Sequence, residues 1–130
     1  MNEPRYFVLV FGDPEQNGDT VESGQYAAGD NYPPFTVEAG DLLLLYCTEG
    51  YSAYSKQVPG IGVAIRANPQ LIEYRWIPFA QSIPRTSIAN TFAPDDQEKM
   101  RQLRFNVRRA FEISRQSFVQ TVANRPLAGS

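Results

Sequence analysis

The chain has 130 residues, of which 42% are hydrophobic and 20% are charged, and its formal net charge is −2. This length suits one domain with one core, and the composition is that of a folded chain rather than a disordered one. Histidine is absent and Cys47 is the single cysteine. We therefore expect no metal site, no cofactor and no histidine-based catalysis. The lone cysteine and the lack of an apolar run of about 18 residues predict a cytoplasmic protein with no membrane partner.

Charge is distributed unevenly along the chain. Residues 1–65 carry two basic and nine acidic side chains, whereas residues 66–130 carry ten basic and five acidic ones. This asymmetry allows a basic surface on a protein whose overall charge is slightly negative. It is equally well explained by attraction between the two halves of the chain.

The N-terminal part combines one strand with a long polar segment. Tyr6–Phe11 (YFVLVF) is aromatic and β-branched and is followed by Gly12, Asp13 and Pro14, which predicts a strand closed by a turn. Residues 15–32 are polar and rich in glycine. They predict a long loop, with one short helix near residues 22–28.

The most apolar stretch is Val37–Thr48 (VEAGDLLLLYCT). Gly40 and Asp41 predict a turn in which the Asp41 side chain caps its own backbone. The four leucines that follow leave no polar face, so we expect a strand that is covered on both sides. In the loop beyond it, Tyr51 and Tyr54 can either stack on a ligand or lie against the rim of the sheet.

Two more strands are predicted downstream. Gly60–Arg66 is apolar, and Leu71–Phe79 (LIEYRWIPF) runs back after a turn at residues 67–69. Pro78 indicates that this last strand lies at the edge of a sheet or ends there. Residues 81–92 carry loop markers and are expected to be irregular.

The C-terminal part predicts one long amphipathic helix, from about residue 94 to about residue 123. Pro94 with acidic residues behind it suits a helix start, and Asn124 before Pro126 suits a helix end. The apolar residues at helical spacing are Met100, Leu103, Val107, Ala110, Phe111, Phe118 and Val122.

A continuous helix would also align four arginines on one flank of this apolar stripe. A row of this kind can follow a phosphate backbone. It can equally pair with the acidic N-terminal half or extend from the edge of the core. The four residues are Arg101, Arg104, Arg108 and Arg115.

Three segments resemble, in order and spacing, the EVE domains of the PUA-like superfamily. They are residues 6–15, residues 40–48 (GDLLLLYCT) and residues 59–64 (PGIGVA). The resemblance covers about residues 5–80. It implies a single α+β domain over residues 1–130, with a bent, mostly antiparallel β-barrel at about residues 5–92 and the long C-terminal helix packed outside it.

Members of this family are thought to read nucleic acid, notably modified bases placed in a pocket beside the barrel. The resemblance puts the end of the leucine strand at such a pocket, with the glycine-rich strand facing it. A flipped base also needs aromatic platforms and hydrogen-bonding groups on its edge. The resulting pocket candidates are Tyr46, Cys47, Thr48, Gly60, Ile61, Trp76, Tyr26 and Tyr32.

The sequence thus predicts a module that binds DNA or RNA and has no catalytic residue. One alternative is a homodimeric interaction protein, whose interface would use Phe105 and Ile113, which lie off the apolar stripe. Another is an enzyme that acts on a small molecule or nucleotide through Cys47 or Asp41.

Overall fold

The computed structural model describes residues 3–17, 19–27, 35–102, 110–123 and 125–128. Within these ranges the chain forms a mixed α+β structure. Its strands are β1 (Tyr6–Phe11), β2 (Gln25–Ala27), β3 (Leu42–Cys47), β4 (Gln57–Asn68), β5 (Leu71–Pro84) and β6 (Ala110–Ile113). Its helices are α1 (Pro14–Asn17), α2 (Arg85–Thr91), α3 (Pro94–Arg101) and α4 (Arg115–Val122), and 3-10 turns occur at Val21–Ser23 and Ser52–Tyr54.

The strands form one sheet in the order β2-β5-β4-β3-β1-β6. β1 and β3 run parallel, and every other pairing among the described strands is antiparallel. The leucine strand β3 lies near the centre, and its side chains alternate between two hydrophobic clusters. Leu43 and Leu45 belong to one cluster and Leu44 to the other, all fully buried. The prediction that this strand is covered on both sides is therefore confirmed.

The sheet curls around the first of these clusters. Four strand spacings separate β2 from β1, which would be about 19 Å in a flat sheet. Yet the ring centroids of Tyr26 in β2 and Phe11 in β1 are only 4.8 Å apart. The two rings can meet only because the sheet bends towards itself. The enclosed inner core consists of Phe7, Leu9, Phe11, Val21, Tyr26, Phe35, Val37, Leu43, Leu45, Cys47, Tyr51, Ala64, Ile72 and Tyr74.

The opposite face of the sheet packs against α2, α3 and α4. This outer core consists of Val8, Val10, Leu44, Tyr46, Val58, Phe79, Ile83, Ile88, Phe92, Met100, Phe111, Ile113 and Phe118. The predicted α+β class, with a curled, mostly antiparallel sheet and helices outside it, is confirmed. Membership of the PUA-like superfamily stays a prediction. None of the helices in the described part of the chain is long and apolar enough to cross a bilayer.

The predicted continuous helix from residue 94 to residue 123 is wrong. α3 begins at Pro94 as expected but ends at Arg101, and β6 follows at Ala110–Ile113 before α4 begins. β6 pairs antiparallel with β1 and so satisfies backbone groups along that side of the strand. In β6, Phe111 and Ile113 alternate towards the outer core with a period of two, which explains why Ile113 lay off the predicted helical stripe. Leu103, Phe105, Val107 and Asn124 lie outside the described residues.

Two loop predictions also need correction. In place of a short helix near residues 22–28, the chain forms a 3-10 turn and then strand β2. Residues 81–92, expected to be irregular, form the end of β5 and then α2. β2 and this extension of β5 are stabilised by pairing with distant strands, which local turn signals do not reveal.

Pro78 lies at an edge of the sheet, as predicted, but does not end its strand. β2 pairs only with Leu71–Glu73 of β5, so further along that side none of the other described strands β1–β6 pairs with β5. The polar atoms of Pro78 face this open side, because its carbonyl accepts a hydrogen bond from the Ala128 amide at 3.0 Å. The missing N–H of proline therefore removes no hydrogen bond to β4, and β5 continues to Pro84.

The turn before β3 has the structural role that the sequence indicated. Gly40 has a φ of +92°, and Asp41 Oδ2 accepts a hydrogen bond from the Glu38 amide at 2.8 Å. Asp41 Oδ1 accepts a second one, at 3.0 Å, from the amide of Arg5. Asp41 thus ties the start of β3 to the residue that precedes β1, and its carboxylate is occupied.

A buried carboxylate joins α3 to α4. Asp96 Oδ2 accepts hydrogen bonds from Ser117 Oγ at 2.5 Å and from the Ser114 amide at 3.0 Å. Ser114 Oγ also accepts from the Ser117 amide at 3.1 Å and so caps α4. Burial alone would raise the pKa of Asp96, but these hydrogen bonds outweigh it and hold the pKa below the ordinary value of 3.8.

Asp96→Asn should destabilise the protein near neutral pH by about 1–3 kcal/mol, because buried donors lose a charged acceptor. Since the pKa is lower in the folded state, this stabilisation is complete well above 3.8 and declines as the pH falls below it. Denaturant unfolding at about pH 7 and about pH 3 should therefore show a smaller difference from wild type in acid. Exposed Asp95→Asn is the control. An equal difference at both pH values would contradict this role.

Candidate functional site

An open groove of about 510 Å³ lies along the β4–β5 ribbon. β4 and β5 form most of it, and the segment after α4 forms the remaining wall. Its lining residues are Val63, Ile65, Arg75, Trp76, Ile77, Pro78, Leu127 and Ala128. The volume lies within the range of pockets that hold small organic ligands, roughly 300–1,000 Å³.

The groove combines apolar walls with one positive charge that has no partner in the described part of the chain. Ile65 is 62% exposed and Leu127 is 39% exposed, so two exposed large apolar side chains line the same groove. Arg75 is exposed, and its guanidinium has no ion pair or hydrogen bond with any described residue. By contrast, Arg66 pairs with Glu73 at 2.6 Å. The groove therefore offers a free cation beside apolar surface.

Of the predicted pocket residues that the structure describes, Trp76 alone lines this groove. It is partly exposed and also packs against the inner core. Gly60, another predicted pocket residue, allows this packing from the paired strand. A Cβ at position 60 would lie 2.5 Å from the Ile77 carbonyl oxygen and 2.9 Å from Trp76 Cη2. Gly60 therefore serves close strand packing, and Ile61 beside it packs against the outer core.

Tyr46 is a structural anchor in the outer core. Arg85 Nη1 donates a hydrogen bond to Tyr46 Oη at 3.2 Å, and the guanidinium carbon lies 5.6 Å from the centre of the ring. Arg85 Nη2 donates to the carbonyl of Met100 at 3.1 Å. Burial raises the pKa of Tyr46, and Arg85 offsets part of this effect. Tyr46 thus connects β3 through Arg85 to α2 and α3.

Cys47 and Tyr26 lie on the other side of the sheet, in the inner core. The Tyr26 hydroxyl donates a hydrogen bond to the Val10 carbonyl, and Cys47 is fully buried. Burial raises the pKa of the Cys47 thiol, with a smaller contribution from Glu22. The structure therefore does not bring Tyr46 into one pocket with Cys47 and Tyr26. It also leaves Cys47 inaccessible and protonated, which disfavours it as a nucleophile.

Thr48 and the tyrosine loop close one end of the inner core. The Thr48 amide donates a hydrogen bond to the Phe11 carbonyl at 2.9 Å. Tyr51 is buried, its ring centre lies 5.9 Å from that of Tyr54, and its hydroxyl accepts from the Val21 amide at 3.1 Å. Burial raises the pKa of Tyr51 to about 12. Tyr51 therefore lies against the sheet. Tyr32 falls outside the described residues.

The arginine row expected from one helix does not form, because Arg101 and Arg115 belong to α3 and α4 with β6 between them. Arg101 is exposed and pairs with Glu98 at 2.6 Å. Arg115 is exposed in the first turn of α4. Arg104 and Arg108 lie outside the described residues. Phosphate contact by these arginines stays a prediction.

Sequence reasoning missed Arg75 and the C-terminal wall of the groove. The alternation in LIEYRWIPF placed Arg75 on the face of the strand opposite Trp76, but an unpaired arginine has no sequence signal of its own. Among the described residues, no group of three or more potential metal-ligating side chains comes together.

The geometry defines a mixed α+β protein with a curled six-stranded sheet and an open groove on its β4–β5 ribbon. No family model and no curated protein matches the sequence. Two solved structures share the fold. One is the crystal structure of protein Atu2648 from Agrobacterium tumefaciens, with 14% identity, a TM-score of 0.57 and 90% coverage of both chains. Another is the NMR structure of Rpa0253 from Rhodopseudomonas palustris, with 14% identity, a TM-score of 0.57 and 88% coverage of both chains. At this identity the likeness concerns the fold alone.

Gly60→Ala should destabilise the protein by about 1–3 kcal/mol, because the new methyl group overlaps the backbone of β5. It should also shift the emission of Trp76, the single tryptophan, since that ring must move. Gly50→Ala is the matched control, because its Cβ would meet no atom closer than 3.5 Å. Thermal unfolding and tryptophan fluorescence measure both effects. Equal stability of the two variants would contradict the close packing at Gly60.

Proposed function

We propose that this chain is a non-catalytic module that binds nucleic acid, with an unstacked base in the β4–β5 groove and a phosphate on Arg75. The observation that carries the proposal is the exposed guanidinium of Arg75, which pairs with no described residue and lies within an otherwise apolar groove. A ligand that suits this groove combines a flat apolar body with an anion. A nucleotide of a single strand has both.

The residues of the groove suit such a ligand chemically. Arginine binds phosphate through two parallel hydrogen bonds and can also stack on a base. Trp76 offers aromatic surface, and Ile65 and Ile77 offer apolar contact. Base stacking on aromatic side chains and salt-sensitive phosphate contacts are the usual basis of single-strand binding. The excess of basic residues in the second half of the chain favours the same partner.

The EVE-like segments support the same class of partner. They lie on β1, β3 and β4, which form the centre of the curled sheet. As a narrower part of the proposal, this PUA-like module distinguishes a modified base from a plain one. Of the predicted pocket residues, Trp76 is the one proposed to contact the base, while Tyr46, Cys47 and Tyr26 support the sheet.

Titration with single-stranded DNA and RNA, followed by Trp76 fluorescence, tests the proposal. Binding should weaken with rising salt, and Arg75→Gln should weaken it about tenfold through the lost charge-assisted hydrogen bond. Arg115→Gln is the comparison variant, because Arg115 is exposed on a different element and belongs to the arginine row that the sequence predicts to contact phosphate. If Arg115→Gln loses more affinity than Arg75→Gln does, the phosphate contact belongs to α4 and not to the groove. Absence of binding at low salt would reject the function.

The narrower proposal is tested by the fluorescence anisotropy of paired, labelled oligonucleotides that differ by one methylated base. A module that reads the modification should bind the two strands with different affinities, and Trp76→Phe should reduce the difference more than the overall affinity. Equal affinities for every modified and plain pair would leave nucleic-acid binding intact and reject base reading.

A homodimer is the second candidate, and the exposed side chain of Ile65 is the observation that favours it. The interface predicted at Ile113 cannot serve, because Ile113 is buried in the outer core. Phe105 lies outside the described residues. If the groove is a dimer interface, Ile65→Lys should convert a dimer to a monomer in sedimentation velocity experiments. A wild-type chain that sediments as a monomer at high concentration would exclude this candidate.

A further inference from the structure

Residues 126–128, which follow α4, lie along the open edge of β5. The Ala80 amide donates a hydrogen bond to the Pro126 carbonyl at 2.8 Å, and the Ala128 amide donates to the Pro78 carbonyl at 3.0 Å. Leu127 stands opposite Phe79 in an antiparallel bridge. Residues 126–128, termed the edge segment, therefore pair with the open edge of β5 as a short added strand.

Two prolines weaken this added strand. In an antiparallel ladder, each hydrogen-bonded pair of residues exchanges two N–H···O bonds. Pro126 opposite Ala80 and Pro78 opposite Ala128 have no N–H, so each pair forms one bond instead of two. The edge segment thus makes half of the ladder bonds that these positions would otherwise allow.

Side-chain packing adds little to the edge segment. Leu127 remains 39% exposed, and Ala128 is exposed as well. Because apolar stabilisation scales with the area removed from water, a half-exposed leucine contributes only part of its potential. The edge segment is therefore easily displaced, and its departure uncovers backbone groups of β5.

We propose that the β5 edge at residues 78–80 is a strand-addition site for an extended peptide of a partner protein, and that the edge segment is its internal occupant. The partner peptide carries a residue with an N–H in place of Pro126, which donates to the Ala80 carbonyl. It also carries a large apolar residue in place of Leu127, which packs at the groove. The peptide therefore makes one ladder bond more than the edge segment does.

Pro78 sets the limit of this site. It has a carbonyl but no N–H on the open side, so the ladder cannot extend past it with full bonding. The site therefore takes a short segment and resists continuous edge-to-edge pairing. This proposal does not rest on nucleic-acid binding, because the peptide replaces one wall of the groove and needs no ligand inside it.

The test uses the full chain and two labelled peptides. One repeats residues 123–130 (ANRPLAGS), and the other has valine in place of the proline (ANRVLAGS). Ala128→Pro removes the N–H that holds the edge segment and suits the extended backbone at Leu127. Ala128→Ser keeps that N–H and is the matched control. Ala80→Pro removes the N–H that β5 offers and blocks the site.

Fluorescence anisotropy should show that the valine peptide binds about fivefold to tenfold more tightly than the proline peptide, the effect of one added hydrogen bond. Ala128→Pro should bind the valine peptide more tightly than Ala128→Ser does, and Ala80→Pro should abolish binding. In hydrogen exchange, the valine peptide should protect the Ala80 amide of Ala128→Pro. This measurement locates the peptide at the β5 edge even if Ala80→Pro fails to fold.

Three results would overturn the proposal. The first is no peptide binding to Ala128→Pro, and the second is binding that leaves exchange at the Ala80 amide unchanged. The third is a concentration-dependent dimer of Ala128→Pro that the valine peptide does not dissociate, which would assign the β5 edge to a second copy of the chain.

Discussion

The closure of the sheet on itself, where Tyr26 of β2 meets Phe11 of β1, is the contact on which the rest of the structure depends. β1 and β3 are apolar on both faces, so neither face can be left in water. The curl of the sheet covers the inner face, and the Tyr26 hydroxyl donates a hydrogen bond to the Val10 carbonyl. The outer face must then be covered by other elements, which are α2, α3 and α4.

This double burial explains why polar atoms at the end of β3 serve the fold. Tyr46 faces the helices, and its hydroxyl is satisfied by Arg85, which also binds the end of α3. Cys47 faces the inner core, where its thiol is shielded from solvent. A buried hydroxyl without a hydrogen-bond partner would destabilise the folded state by about 1–3 kcal/mol. The packing of α2 against the sheet avoids this, because it places Arg85 where it can donate a hydrogen bond to the Tyr46 hydroxyl. The exposed guanidinium of Arg75 lies instead on the β4–β5 ribbon, in a groove that none of the described helices lines.

On the β4–β5 ribbon, the edge of β5 is only partly covered by other backbone segments. β2 covers only the first residues of β5, and the edge segment covers a few more through two hydrogen bonds. Pro78 and Pro126 keep this coverage weak, and Arg75 and Ile65 remain exposed beside it. The groove with its exposed cation and the adjoining, weakly covered edge of β5 are separate proposed binding sites. The first suits a nucleotide, and the second suits an extended peptide.

The sequence by itself determined the elements whose local pattern leaves one physical solution: the doubly buried leucine strand, the Gly40–Asp41 turn, the edge position of Pro78 and the start of α3 at Pro94. Only the tertiary structure decided β6, because Ala110 and Phe111 fitted the predicted helical stripe and the strand forms only where β1 offers its edge. It also decided the site. Tyr46 and Cys47 are adjacent in sequence, but alternation along a strand sends them to opposite faces. Arg75 stands out only because the folded β4–β5 ribbon places it in an otherwise apolar groove, where no described acidic residue pairs with it.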